Sequence, residues 1–260
     1  MASSTFYYNF KRLQAEDKDK ELKDLICSIY LANDCRDGYR IITGKLREHG
    51  YHVNRKKVQR LMQQLGLRSL LRPKRKDYKK NNKPGKVAPN ILERNFHADR
   101  PNEKWAADVT EFKLFDKKLY LSPIIDLFNG EIICYDISNH QDFKQTTNML
   151  DKAFLKIPDN TKLILHSDQG WQYTMEDYQS RLTAKGITQS MSRKGNCLDN
   201  AVIESFFGTL KSELFYYYKF ESIEDLKKGI EKYIDYYNNK RIKLRLKGMS
   251  PVGYRTKLSA

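Results

Sequence analysis

WAADVTEFKLFDKKLYLSPIIDLFNGEIICYDI, residues 105–137, is the stretch whose reading decides the fold. Trp105 to Phe112 and Leu119 to Leu127 are rich in apolar, aromatic and β-branched residues, which suits half-buried extended chain. Asn129-Gly130 supplies the left-handed backbone a tight hairpin turn needs, and Glu131 to Ile137 returns in the same style. Three consecutive antiparallel strands are predicted.

Working outward, the C-terminal side alternates between helix and strand patterns. Phe143, Thr146, Thr147, Leu150 and Phe154 predict a helix over 142–155. Leu163-Ile164-Leu165 is a short continuous apolar run, typical of a strand buried on both faces. A helix over 175–185, a strand over 188–192 and a long helix starting near Asp199-Asn200 follow. The long helix buries Ile203, Phe206, Phe207, Leu210 and Leu214. Ser222 with Asp225 forms a capping signal ahead of Leu226, Ile230, Tyr233, Ile234 and Tyr237, and Ser250-Pro251 opens a last helix. The fold class is α/β, a mixed sheet flanked by helices.

The N-terminal side is all helical in pattern. Helices are predicted over 20–31, 39–49 and 55–65, with Gly50 and Gly66 as C-terminal stops and Asn54 as an N-cap. Two short helices joined by a tight turn are the helix-turn-helix arrangement. Arg55, Lys56, Gln59, Arg60, Gln63 and Gln64 lie on the outward face of the second, where they suit phosphates and base edges. A plain three-helix packing unit with a solvated basic face is the competing reading.

Charge favours a nucleic-acid partner. The chain has 48 basic and 32 acidic residues, a net of +16. Residues 1–90 hold 22 against 9 of these, a net of +13, whereas 91–260 are close to neutral at +3. Eight basic residues, Arg72, Lys74, Arg75 and Lys76 among them, face one acid between Arg72 and Lys86, broken by Pro73, Pro84 and Gly85. Such a linker packs no core and can track phosphates. The expected organisation is an N-terminal helical segment (1–35), a helix-turn-helix-like DNA-binding domain (36–70), a basic linker (71–100), a catalytic domain (101–216) and a helical tail (217–260).

Other classes fit poorly. No stretch approaches the roughly 20 apolar residues of a spanning helix, and no secretory signal is evident, so cytoplasm is the expected compartment. The four cysteines are scattered, and the five histidines never combine with a CxxC, which argues against a zinc site.

Three acids stand out by position. Asp108 sits on the first strand, Asp168 ends the buried strand, and Glu204 flanks inward-facing Ile203, with 35 residues between the last two. Carboxylates gathered at such a rim repel one another unless cations lie between them. Their hard oxygens suit Mg²⁺ or Mn²⁺, and two such ions could activate an attacking hydroxyl and stabilise a leaving oxygen at a phosphodiester. Singly, each acid could equally be a surface or capping carboxylate.

The surrounding words are more specific. They run Trp105-Ala-Ala-Asp108-Val-Thr; His166-Ser-Asp168-Gln-Gly-Trp-Gln-Tyr173; and Asp199-Asn200-Ala-Val-Ile-Glu204-Ser-Phe-Phe-Gly-Thr-Leu-Lys211-Ser-Glu213. These closely resemble the DDE integrase core of bacterial insertion-sequence transposases, the second-frame product of the family numbered three, related to retroviral integrases. Tyr236 to Pro251 resembles that family's C-terminal signature, and Gly38 to Leu67 its helix-turn-helix segment.

The resemblance implies a ribonuclease-H-like core with a five-stranded mixed sheet. It implies Asp108, Asp168 and Glu204 as ligands of two Mg²⁺, replaceable by Mn²⁺, and action on terminal inverted repeats by nicking and 3′-hydroxyl strand transfer. Lys211 is expected near DNA, with a solvated helix lysine as the alternative. Arg193, Lys194 and Asn196, in the loop before the long helix, are expected at DNA phosphates. His166, Trp105 and Trp171 read as structural. A dimer in the synaptic complex and nucleoid association are implied too. Ser4-Thr-Phe-Tyr-Tyr looks like the end of a family segment, which suggests fusion to, or association with, a first-frame product. The zinc module of retroviral integrases has no counterpart ligands here. Two other functions remain open from the residues: a nuclease on the same fold that cuts without joining, and a non-catalytic DNA-binding regulator.

Overall fold

The computed structural model describes residues 17–69, 86–193 and 197–259, and the chain divides into two compact units at residue 70. The expectations for Arg72, Lys74, Arg75, Lys76, Lys194 and Asn196 lie outside the described residues.

The first unit is helical: α1 (Lys20–Ala32), α2 (Tyr39–Glu48) and α3 (Arg55–Gln64). Ile26, Ile42, Leu46, Val58, Leu61 and Met62 bury their side chains together at the spacing of one helical face. The Asn54 side chain accepts the Lys56 N–H at the start of α3, as its N-cap position requires. Gly50 (φ 83°) and Gly66 (φ 68°) end α2 and α3 in the left-handed conformation that only glycine adopts without strain.

The second unit is built on one mixed sheet: β1 (Lys104–Ala107), β2 (Thr110–Leu114), β3 (Lys117–Asp126), β4 (Ile132–Ser138), β5 (Ile164–Ser167) and β6 (Thr188–Met191). β3 pairs antiparallel with β1, β2 and β4, while β1, β5 and β6 run parallel. The predicted first strand is therefore two strands. Ala107 faces Ile124 and Thr110 faces Leu121, an unbroken register that sets Asp108 and Val109 across from Pro123 and Ser122. Pro123 brings no N–H to the ladder, and the pairing lapses there. Counted as rows, β1 and β2 form one, and the mixed sheet has five rows, as the resemblance implies.

Alternation along the strands separates two cores. Ala106 and Ile125 face α6 (Ala201–Leu210) and α7 (Ile223–Asn239), through Ile203, Phe206, Leu210, Ile230 and Tyr233. Trp105, Ala107 and Ile124 face the other way, onto α4 (Phe143–Phe154) and α5 (Glu176–Ala184), through Met149, Leu150, Tyr178 and Leu182. β5 is buried on both faces, with Leu165 and His166 fully enclosed. A final helix, α8 (Pro251–Ser259), begins at the predicted Ser-Pro start.

Two boundaries differ from the sequence reading. β3 begins at Lys117 through a turn in which Phe115 takes φ 53°, with no glycine to announce it. The long helix opens with a 3-10 turn at Cys197–Asn200 and leaves α-geometry at Lys211, where a π-helical turn runs to Phe215. Such turns insert an extra residue per hydrogen-bonded ring and re-aim the side chains beyond them.

Candidate active site

Asp108 and Asp168 owe their proximity to the pairing of β1 with β5. That ladder ends on Ala107 opposite Ser167, so the next residue on each strand is one of the two acids. Adjacent strands lie about 4.8 Å apart, which makes the two Cα positions neighbours. Both acids sit at the carboxyl ends of parallel strands, the edge where open α/β sheets bind ligands. On the face that Ala106 presents to α6, that helix carries Glu204 next to buried Ile203.

Electrostatics link Asp168 to Glu204, and each aspartate to Tyr173. Burial lifts the Asp168 carboxyl above its ordinary range, the Gly170 N–H opposes that, and the charge of Glu204 lifts it further. Buried Tyr173 is pushed well above the usual phenol range, first by burial, then by Asp108 among others, with Asp168 contributing as well. Each aspartate also accepts a backbone N–H: Asp108 Oδ1 from Val109 at 2.7 Å and Asp168 Oδ1 from Gly170 at 2.8 Å. Among the described residues no three Asp, Glu, His or Cys side chains are gathered closely enough to hold an ion jointly. A divalent cation would favour the charged Asp168 carboxylate, which burial and then the Glu204 charge disfavour. An all-carboxylate donor set of this kind fits Mg²⁺ or Mn²⁺.

His166 is built into the scaffold. Its Nδ1 stands 2.9 Å from Ser190 Oγ, which also accepts the N–H groups of Ile91 (2.9 Å) and Leu92 (3.1 Å). With those two bonds accepted, the Ser190 hydroxyl donates to Nδ1, which makes the imidazole neutral with its proton on Nε2. Burial lowers its pKa in the same sense. A nitrogen occupied in this way is no general base, in keeping with the structural reading. Trp105 is fully enclosed, and Trp171 is half-buried.

Arg193 and Lys211, both expected at DNA, have partners inside the protein. Arg193 forms a fork on Asp199, Nε to Oδ2 and Nη2 to Oδ1, each at 3.0 Å, and its guanidinium is largely exposed. The Lys211 ammonium donates to the Glu111 carbonyl on β2 at 3.0 Å and lies 5.2 Å from the Phe112 ring centre. It thus ties the end of α6 to the sheet. On α3, Arg55, Lys56, Gln59, Arg60, Gln63 and Gln64 are all exposed, and Arg60 approaches Asp19 at 3.6 Å.

Sequence reasoning missed the part played by Asp199, taken as a helix start. It is fully buried and accepts from Arg94 Nε (2.8 Å), Asn90 Nδ2 (3.3 Å) and the Arg193 backbone (3.1 Å) in addition to the Arg193 fork. The arginines hold its carboxyl well below the usual range. It fixes the segment just ahead of α6, and so the approach to Glu204. Arg94 lies 105 residues away in sequence, and no local pattern signals the pairing. Glu213 is a second such residue, buried against Arg241 and Tyr233.

Residues 16–76 match the HTH-like domain family, and residues 98–197 and 204–258 match two integrase core domain families. The putative transposase InsK of insertion element IS150 from Escherichia coli K12 is 52% identical over 97% of this chain and 89% of its own length. Transposase InsF of IS3A, from the same organism, is 33% identical over 90% of this chain and 81% of its own. Among solved structures, the HTLV-2 integrase catalytic core domain in complex with magnesium aligns with 60% of this chain and 98% of its own at TM-score 0.49 and 20% identity. With an HTH-like domain ahead of an integrase core and relatives this similar over nearly their whole length, the chain belongs to the insertion-sequence transposases, in the family that includes InsK of IS150 and InsF of IS3.

Proposed function

We propose that the chain is a DDE transposase that cuts DNA at the terminal inverted repeats of its element and joins the freed 3′-hydroxyl to a target phosphodiester. The observation that carries this reading is the β1–β5 register, which delivers Asp108 and Asp168 to adjacent strand ends below the helix bearing Glu204. These three acids would hold two Mg²⁺, with Mn²⁺ able to replace them. When bound, the ions would supply activation of the attacking hydroxyl and stabilisation of the leaving oxygen.

The chain's own residues do the rest. Asp108 and Asp168 present carboxylate oxygens from rigid strand ends. Asp199, clamped by Arg94 and Arg193, positions the start of α6 and with it Glu204. His166 stays neutral and braces β5 against β6. The exposed face of α3 and the basic stretch from Arg72 to Lys86 take phosphates and base edges. Residues 36–70 would act as the DNA-binding domain, 101–216 as the catalytic domain and 217–260 as its helical tail. Synapsis would pair two copies, and a first-frame product would contribute further recognition of the ends.

Strand transfer of a pre-cut element end into plasmid, with Mg²⁺, tests the proposal. Joined product that disappears in Asp108→Asn, Asp168→Asn and Glu204→Gln supports it. Hydrolysis with no joined product would leave a nuclease, and undiminished joining by any of the three variants would remove that acid from the site.

A further inference from the structure

The segment that follows α7, residues 240–249, folds back over the turn between β3 and β4. Lys243 pairs with Met249 in an isolated antiparallel bridge, and Lys247 takes φ 56° to reverse the chain. This places two basic side chains on one glycine. Lys243 Nζ and Arg245 Nη2 each stand 2.6 Å from where a Cβ on Gly130 would be, so the two ends lie side by side.

Among the described residues no carboxylate pairs with them. The acids around the turn are already engaged: Glu131 accepts from Arg255 at 2.7 and 3.0 Å, and Glu213 accepts from Arg241 at 2.7 Å. Lys243 reaches only neutral oxygens, the Gly130 carbonyl at 3.1 Å and the Tyr237 hydroxyl at 2.7 Å, and lies 4.3 Å from the Tyr237 ring centre. Among the described residues neither Lys243 nor Arg245 has an ion pair. Lys243 is held in place by those bonds, while Arg245 is exposed to solvent. Two adjacent basic groups, one fixed and one open to solvent, neither with an ion pair among the described residues, make a field that an incoming anion relieves. Burial, then the charges of Arg245 and Arg241, pull the Lys243 amine down to about 6, in the direction an anion would reverse.

We propose that Lys243 and Arg245 at Gly130 form a binding site for a DNA backbone phosphodiester, separate from the three carboxylates. The proposal rests on the reading of the chain as a DNA-acting enzyme. The β3–β4 turn adjoins the start of β1, where Leu127 N–H donates to the Lys104 carbonyl, and Asp108 lies beyond the far end of that strand. The two groups therefore lie towards opposite ends of β1.

Fluorescence anisotropy with the full-length chain and a labelled duplex of the element's end, across 50–300 mM salt, tests the site. Each phosphate contact contributes a slope of about −0.9 to log K against log salt, so Arg245→Gln should flatten the slope by about that much and weaken binding about eight-fold at 0.1 M. Arg245→Lys should restore most of the slope, because the charge rather than the shape carries the effect. Since Arg245 is exposed, an unchanged melting temperature is expected for both variants. A wild-type slope in Arg245→Gln would overturn the site while leaving the DNA reading intact. A wild-type chain with no salt-dependent binding would overturn both.

Discussion

Glu213→Gln offers the most direct test of how the C-terminal tail is held to the catalytic unit. Glu213 lies in the π-helical turn beyond α6 and is 9% exposed. Its carboxylate accepts Arg241 Nη2 at 2.7 Å, Arg241 Nε at 3.0 Å and the Tyr233 hydroxyl at 2.8 Å, so one group joins α6, α7 and the segment after α7. The glutamine keeps the volume and removes the charge. Arg241, itself only 17% exposed, would then be a buried cation facing an amide. Breaking a buried pair from one side costs about 3–5 kcal/mol, and the remaining exposure of Arg241 argues for the lower end, about 3 kcal/mol. For a unit of this size that corresponds to a fall of roughly 6–12 °C in Tm. Glu213→Leu with Arg241→Met removes both charges and leaves chiefly the Tyr233 hydroxyl without its acceptor, at about 1–2 kcal/mol. Urea titration followed by circular dichroism, on wild type, Glu213→Gln, Glu213→Leu, Arg241→Met and the Glu213→Leu/Arg241→Met pair, measures the loss and closes the cycle. A loss below about 1 kcal/mol for Glu213→Gln, or a double variant as damaged as the sum of the singles, would refute the reasoning, because either means the charges are not mutually compensating.

Three further outcomes are expected. Replacing Asp108, Asp168 or Glu204 by its amide should cut strand transfer at least about 100-fold, since even groups that only orient metal ligands are worth 10–100-fold, while the melting temperature stays near wild type. Asp126 is buried, and its carboxyl is pushed up to about 6, mainly by burial against the opposing N–H groups of Asn102 and Phe128. The folded protein therefore holds that proton longer than the unfolded chain does, and the Asp126 contribution to stability falls as pH rises from about 4 to about 6, by roughly 3 kcal/mol. Asp126→Asn should lack that decline, and a wild-type-minus-variant difference that does not change with pH would contradict it. Gly130→Ala should destabilise by about 1 kcal/mol or more in chemical denaturation, because φ is 72° and the new methyl would meet Lys243 and Arg245 at 2.6 Å.

Much of the molecule was legible from local signals. Helix faces, the Asn54 and Ser222 caps and the Asn129-Gly130 turn all depend on residues a few positions apart, and each appears where its spacing placed it. The turn at Phe115 was not legible, since nothing in Phe-Asp demands a left-handed residue, and the π-helical turn at Lys211–Phe215 carries no breaker.

By itself, the order of residues determined the α/β class, the helical N-terminal unit, the basic bias of residues 1–90 and the membership of the family. Tertiary structure alone decided what those residues meet. It set Pro123 across from Asp108, so that the strand lapses at the acid, and it brought Arg94 to Asp199 across 105 positions. It also left Lys243 and Arg245 together at Gly130 after giving Glu131 and Glu213 to other arginines. The physical reason is that periodicity and capping act over one or two turns of chain. Strand register and the sharing of buried charges are settled only when distant segments compete for the same partners.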